Sequence, residues 1–412
     1  MRATWSGSAE EWAWRALMPA LIFGGNAAGM LLFVILVLRL WAWWRHHRAA
    51  AWSWPQGAAW WLGYFALQLL GGWWSDDLAA WGLSLEVKSA LWFLPLLVAM
   101  PGKSVSRAFW WSVGWSVSAY IAYRMLRAGW FQWNWGDPRE WRYARFAGDV
   151  HPTYLGLHAA MALLGLGMKW GRSLGMASKW ALTVLLAAGL GMTGSKAGIL
   201  AGAVVVALRL AMWLRGRTNA DWRLRSARMD GQPARWLVFR LILGTVTFGM
   251  SRARFEEMGT ATIPMTGEAS DIRSSSAGRV FVWQSSWSIL LEHPFGVGTG
   301  DVIPALMEVY ADEGVDYALD RALNPHNQWL QAGVAFGWPG MVVLTLAFFS
   351  MLRAAWQRQD GLLLLCTLLV MLHAGVESVL EVQRGVVFIL WMYATQWQLE
   401  TAPSCPSEEP LP

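Results

Sequence analysis

The chain has 412 residues, of which 56% are hydrophobic and 33 are tryptophan, with a mean hydropathy of +0.32. This is too apolar for a water-soluble domain and points to a polytopic membrane protein, in which the net charge of +6 is a topology signal before it is a nucleic-acid signal. Its two cysteines, Cys366 in an apolar run and Cys405 in the tail, exclude a disulfide or cysteine-metal framework.

Residues Met1 to Arg15 form a polar lead carrying Glu10, Glu11 and several tryptophans. The apolar run from Leu17 to Trp41 is too long for a signal-peptide core and lacks a small-residue cleavage site, so it reads as the first spanning helix. Further apolar runs follow at 57–74, 82–100, 107–127, 152–168, 178–193, 196–214, 236–251, 328–351, 361–376 and 384–398. Each approaches the ~20 residues that a span requires, which predicts about eleven transmembrane helices, within a range of about ten to twelve. The expected fold class is therefore all-α: a polytopic integral membrane protein with one large outward-facing loop that carries short helices. The tryptophans suit an aromatic belt at the membrane interfaces.

Basic residues in short loops orient the spans. Arg39, Arg45 and Arg48 follow the first, Lys103 and Arg107 the third, and Lys169, Arg172 and Lys179 the fifth. The stretch Arg215 to Arg235 follows the seventh, and Arg353 and Arg358 the ninth, so all the basic-rich loops fall on one side, the cytoplasmic one by the positive-inside rule. The N-terminus and the loop before residue 328 are then expected outside. The chain divides into N-terminal spans (1–250), a large periplasmic loop with catalytic elements (251–327), C-terminal spans (328–398) and a disordered cytoplasmic tail (399–412). The tail is acidic and proline-rich.

Polar chemistry concentrates in and around that loop. His326 stands at the outer mouth of the run that continues to Ser350, and a histidine there can exchange protons near neutral pH. Asn324, Pro325, Asn327, Gln328 and Gln331 crowd around it, which is more polarity than a spanning helix needs at its start. Upstream, the apolar positions of 280–292 fit one broad helical face, as in a helix lying along the membrane surface. Gly278 and Arg279 stand at its start, where free N–H groups and a guanidinium make a phosphate seat. A snorkelling arginine fits that position equally well. Gly296, Gly298 and Gly300 follow a helix and lack the Walker-type lysine, so they read as a turn and not as a nucleotide loop. His373, Glu377 and Glu381 are spaced four apart on one helix face with Arg384 beyond, and Glu377 is assigned an accessory role. His151, in GDVHPTYLG, opens another span on the outer side and helps to shape the acceptor site or simply starts a helix.

His326 and Asn327, nine residues, Gly337, two residues and Gly340 together resemble the signature of the O-antigen ligase and O-antigen polymerase superfamily. GRVFVWQSSWSILLEHPFGVGTGD resembles that family's loop with an arginine, a tryptophan and a His-Pro-x-Gly-x-Gly turn, and MTGSKAGIL resembles its Thr-x-Ser-Arg stretch with Lys196 in the arginine position. The resemblance covers roughly the C-terminal half. It implies a multi-pass glycosyltransferase of the bacterial inner membrane, with its active site facing the periplasm, that takes glycan from an undecaprenyl-diphosphate donor. The implied acceptor is a hydroxyl on lipid A-core (ligation, favoured) or on another glycan (polymerisation). The implied roles are His326 as general base and Arg279, Lys196 and Arg254 as cations holding the diphosphate, with Asn327 and Glu377 also in the substrate-binding set. No metal, no cofactor and no nucleic-acid partner are expected, and the bilayer is a partner throughout.

Two other readings compete. A metal-dependent transferase of the oligosaccharyltransferase type would use Asp76 and Asp77 in the first outer loop, but a second acidic cluster is missing. A lipid-linked glycan transporter or flippase would show repeated halves and broken midplane helices, and the sequence contains no internal repeat.

Overall fold

A computed structural model of the chain describes residues 4–24, 27–46, 52–101, 105–167, 171, 174–217 and 275–397. Among these every regular element is helical. The expected span at 236–251, most of the Arg215 to Arg235 stretch, the start of the long loop and the tail lie outside the described residues.

The run from Leu17 to Trp41 is not one helix but parts of two, α1 (Thr4–Phe23) and α2 (Ala27–His46). The sequence Gly24-Gly25-Asn26 has poor helix propensity and interrupts an apolar stretch that hydropathy alone reads as continuous. The two helices pack as an antiparallel pair, in which Arg39 Nε donates to Glu10 Oε1 at 2.7 Å and Trp14 Nε1 donates to the same oxygen at 3.3 Å. Arg39 is fully buried and also reaches the carbonyl of Leu97. It therefore leaves the set of loop charges, and the start of α1 lies at the same end of the molecule as His46. That corrects the expected sidedness of the N-terminus relative to the first basic loop.

The remaining helices track the apolar runs closely. They are α3 (Ala58–Leu70), α4 (Leu78–Lys88), α5 (Ala90–Ala99), α6 (Ser106–Trp135), α7 (Tyr143–Ala147), α8 (Pro152–Leu166), α9 (Met176–Met192) and α10 (Lys196–Arg217). After the undescribed stretch come α11 (Ser275–Glu292), α12 (Val302–Asp312), α13 (Asp316–Leu319), α14 (Gln328–Gln357), α15 (Gly361–Ala374) and α16 (Gln383–Trp397). Buried aromatic rings tie them together. Trp391 stacks on Trp14 and meets Phe109 edge-on, joining α1, α6 and α16, while Trp61 and Tyr64 of α3 meet Phe348 and Phe336 of α14. Such pairs contribute ~0.5–1.5 kcal/mol each beyond their buried area.

Among the described residues three helical stretches are long and apolar enough to cross a membrane: Ala27–Arg45, Leu78–Ala99 and Gln328–Gln357. Shorter apolar helices among the described residues are Pro152–Leu166, Met176–Met192, Lys196–Ala207 and Gly361–Ala374, so the structure supports a helical protein with at least some spans and does not by itself give the expected eleven.

The third of those stretches is not straight. Gly337 has φ 64° and ψ −152°, and Trp329 Nε1 donates to Thr345 Oγ1 at 3.0 Å across sixteen residues, a separation of ~24 Å along a continuous helix. Residues 328–336 therefore fold back against 338–357. The turn at the fold-back is locked by the Pro294 to Gly298 segment: Val297 N and Gly298 N donate to the carbonyls of Val334 and Ala335, and Trp338 N donates to Pro294 O. The expected single helix from 328 to 351 is thus a short helix of ~13 Å followed by a crossing helix of ~30 Å. The reason is local, since only glycine adopts that φ/ψ without strain and Pro339 has no N–H for a helical bond.

One end of the molecule gathers the segment after α2 and the end of α14 that carries Arg353 and Arg358. Ser53 N donates to Ala99 O, Gln56 Nε2 to Gln357 Oε1, and Tyr393 Oη to Gln56 O, which bring the sequence after α2 beside the ends of α5, α14 and α16. The opposite end carries the Asp76 and Asp77 amides bonded to Asp301, the Pro294 to Gly298 turn and the polar cluster described next. The two groups fall at opposite ends, while Arg48, Lys103, Lys169, Arg172 and most of the Arg215 to Arg235 stretch lie outside the described residues.

Candidate functional site

Four sequence-distant elements meet at Glu377, in the short connection between α15 and α16. His326 Nδ1 lies 3.1 Å from Glu377 Oε2, Arg279 Nη2 donates to Oε1 at 2.8 Å, and Thr153 Oγ1 donates to Oε1 at 3.2 Å. Glu377 is 5% exposed, so a charge there requires these partners. Burial by itself raises its carboxyl. The hydrogen bond from His326 and the cationic surroundings, Arg279 among them, outweigh it, and the group lies below its ordinary value, ionised near neutral pH.

Each side chain is placed by the local fold. His326 adopts φ 46°, in the left-handed region, and its N–H is held by Asn324 Oδ1 at 3.0 Å. A non-glycine residue there stores about 1–2 kcal/mol, a strain that clusters at working sites. Asn327 caps α14: its Oδ1 accepts from the amides of Trp329 and Leu330, while its Nδ2 donates to Gly375 O at 3.0 Å. Arg279 sits in the second turn of α11, which packs beside α14 with Val282, Ile289 and Leu290 buried. Of the apolar positions expected to lie along a membrane surface, Ile289 and Leu290 are buried against protein, whereas Trp287 and Leu291 are exposed. His151 caps α8 as an acceptor from Thr153 N, and burial lowers its pKa below the ordinary 6.5, so it is neutral.

The site is sunk into the molecule. The 328–336 segment carries its N-terminal end, with His326 before it, back down beside 338–357 and away from the fold-back turn. Helices α8 and α15 begin or end at the cluster and have 15 and 14 residues, about 21–22 Å, less than the ~30 Å of a bilayer's hydrocarbon core. Short apolar helices thus terminate on a polar recess.

Of the residues expected to act, His326, Arg279 and Glu377 come together, and Asn327 braces the segment that bears Glu377. Lys196 begins α10, whose Ser195 caps the helix by accepting from Gly198 N at 3.1 Å. A Cβ on Gly156 would stand 2.9 Å from Gly198 Cα, so α8 and α10 touch backbone to backbone one turn beyond Thr153. This puts Lys196 at the same end as the cluster. Arg254 lies outside the described residues. Asp77 Oδ1 caps α4, and Asp301 fixes both Asp76 and Asp77 amides, so this pair organises a rim turn. Among the described residues no cluster of three or more histidine, cysteine or acidic side chains is arranged for a metal ion.

Thr153 escaped the sequence reading, as did a second buried polar group. Lys88 Nζ meets Glu381 Oε2 at 2.7 Å, and Gln328 Nε2 meets Glu381 Oε1 at 3.3 Å and Tyr64 Oη at 3.4 Å. A lysine inside an apolar run was the available signal, because an intramembrane charge needs a partner.

In chemical terms, the Glu377 carboxylate accepts the Nδ1 proton of His326, which leaves the Nε2 lone pair as a base. Arg279 uses one of its five donor N–H groups on Glu377 and keeps others for an anion, and its side chain is 26% exposed. A base and a cation thus share one carboxylate. Residues 181–345 match the family model described as O-antigen ligase. No curated protein matches the chain. The match spans Lys196, Arg279, His326 and both glycines of the fold-back and stops short of Glu377.

Proposed function

We propose, for a chain whose residues 181–345 match the O-antigen ligase family model, metal-independent glycosyl transfer from an undecaprenyl-diphosphate-linked glycan to an acceptor hydroxyl on the periplasmic side. Ligation to lipid A-core is the favoured outcome and repeat-unit polymerisation the second. The observation that carries this reading is the His326–Glu377–Arg279 cluster, which sets a base and a phosphate-binding cation 3.1 and 2.8 Å from the same carboxylate.

In the step, His326 Nε2 takes the acceptor hydroxyl proton as the oxygen attacks the anomeric carbon. The bond from that carbon to the diphosphate oxygen breaks, and the electron pair leaves with the lipid diphosphate. Arg279 and Lys196 offset the charge that grows on this leaving group, where preorganised donors favour the transition state over the ground state. Glu377 keeps the proton on Nδ1 and stabilises the imidazolium that forms. Arg254 completes the cation set.

Purified protein, an undecaprenyl-diphosphate glycan and an isolated acceptor test this. His326→Gln keeps hydrogen bonding and loses basicity, and transfer is expected to fall by about 10²- to 10⁴-fold with folding intact. Normal turnover by a correctly folded His326→Gln would end the assignment. The metal arm uses EDTA: activity is expected to persist, and complete loss restored by Mg or Mn would favour the Asp76 and Asp77 reading instead. A cell lacking the protein separates the two products, since ligase loss removes all long-chain lipopolysaccharide, whereas polymerase loss leaves a core with one repeat unit.

A further inference from the structure

The segment that carries Glu377 has no helical ladder of its own, because it lies between Ala374 and Gln383. Besides Tyr154 Oη, which donates to Ser378 O at 3.5 Å, it is held by the two residues that follow His326. Asn327 Nδ2 donates to Gly375 O at 3.0 Å, and Gln328 Oε1 accepts from Leu380 N at 2.7 Å, so one side chain grips each end. Gln328 is wholly buried, and its amide nitrogen faces Glu381 and Tyr64. On the far side Glu381 is ion-paired with Lys88, which is 3% exposed at the end of α4 and also donates to Ser84 Oγ at 2.7 Å. Tyr64 stands on α3, and Gln68 one turn further along is likewise buried.

A buried lysine–glutamate pair in an apolar helical setting is costly to maintain, and nothing in the transfer step above uses it. Its connections run in one direction, through Gln328 to the backbone of the Glu377 segment. We infer that Gln328, Lys88 and Glu381 are positioning residues that fix Glu377 against His326, so that the α3–α4 hairpin, far away in sequence, sets the geometry of the base. This rests on the catalytic reading given above. None of the three touches the reacting atoms in this arrangement: Lys88 and Glu381 set where the segment lies, and Gln328 sets the distance from its backbone to the base.

The consequence is a specific kinetic pattern. When the segment shifts, the carboxylate no longer faces Nδ1, and the imidazolium loses the neighbour that favours it. Gln328→Met and Lys88→Met are each expected to lower kcat by about tenfold or more while changing the donor KM less, because a small misplacement of a catalytic group acts on the transition state. The shape of the pH–rate profile is expected to change, which a merely structural loss of active protein would not cause. Lys88→Arg should retain most activity. The double exchange Lys88→Glu with Glu381→Lys restores the pair with reversed polarity and should recover kcat over either single change, and it keeps the test decisive if Lys88→Met folds poorly. Glu377→Gln serves as the reference. Wild-type kcat and an unchanged pH–rate profile in folded Gln328→Met and Lys88→Met, with Glu377→Gln crippled, would overturn the positioning role and leave the His326–Glu377 pair standing. A Glu377→Gln variant with normal turnover would overturn the catalytic reading itself.

Discussion

His326 is the residue at which backbone and side chain both bear marks of use. Its positive φ is held by an Asn324 side chain, and its ring is held by a carboxylate that also holds Arg279. Removing Arg279 therefore has two effects: it withdraws a phosphate donor and leaves Glu377 with one charged neighbour fewer. Arg279→Ala is expected to cost on the order of 2–5 kcal/mol in transition-state stabilisation, read as kcat/KM in the reconstituted transfer assay. Arg279→Lys should recover only part of this, since an ammonium cannot grip carboxylate and diphosphate together as a guanidinium fork does. A wild-type rate for Arg279→Ala would remove the residue from the site. At this scale the sequence was most informative about residue type. A histidine in a polar run beside an apolar one was visible, whereas Thr153 and Lys88 were not, because their roles depend on partners 224 and 293 residues away.

At the scale of elements, the fold-back in α14 decides where His326 goes. A Cβ on Gly337 would sit 1.8 Å from Pro294 O, and one on Gly340 would sit 2.6 Å from Ala332 O. Gly337→Ala combines that backbone clash with about 1–3 kcal/mol of φ/ψ strain, so folded protein should be lost, as judged by size-exclusion profile and melting in detergent. Gly136 makes a useful contrast. It ends α6 at φ 63° with open space around its would-be Cβ, so Gly136→Asn should melt within about 1 °C or 2 °C of wild type. The capped start of α8 gives a pH prediction. His151 has a lowered pKa when folded, so as pH falls below 6.5 the unfolded chain takes up its proton first and stability declines. Glu377, also lowered, contributes stability above its ordinary 4.5 that is lost as pH falls through the folded value. Melting temperature should therefore drop from pH 7 downward in two successive stages, and His151→Gln should remove the upper one. A flat profile between pH 7 and 5 in wild type would contradict the buried neutral His151.

For the whole molecule, the separation of basic segments from the polar recess predicts which surfaces face which compartment. In a background with Cys366 and Cys405 replaced by serine, a cysteine at Glu313, exposed after α12, should react with an impermeant maleimide in intact cells. A cysteine at Gln359, after α14, should react only after permeabilisation. The reverse pattern would invert the molecule and place the recess on the cytoplasmic side. The antiparallel α1–α2 pair adds that the N-terminus should label with Gln359 and not with Glu313.

The sequence by itself determined the helical class, the boundaries of most described helices and the polar runs in which His326 and Arg279 stand, because hydropathy and side-chain chemistry are local properties. It read the 17–41 and 328–351 runs as single helices, because hydropathy sums over residues and is blind to a break made by a few small ones. Only the tertiary structure decided that 328–336 turns back on 338–357, that Arg39 is buried against Glu10, and that Glu377 joins His326 to Arg279. Those outcomes depend on which distant backbone segments close-pack, and the chain order of the residues does not encode that packing in any local pattern.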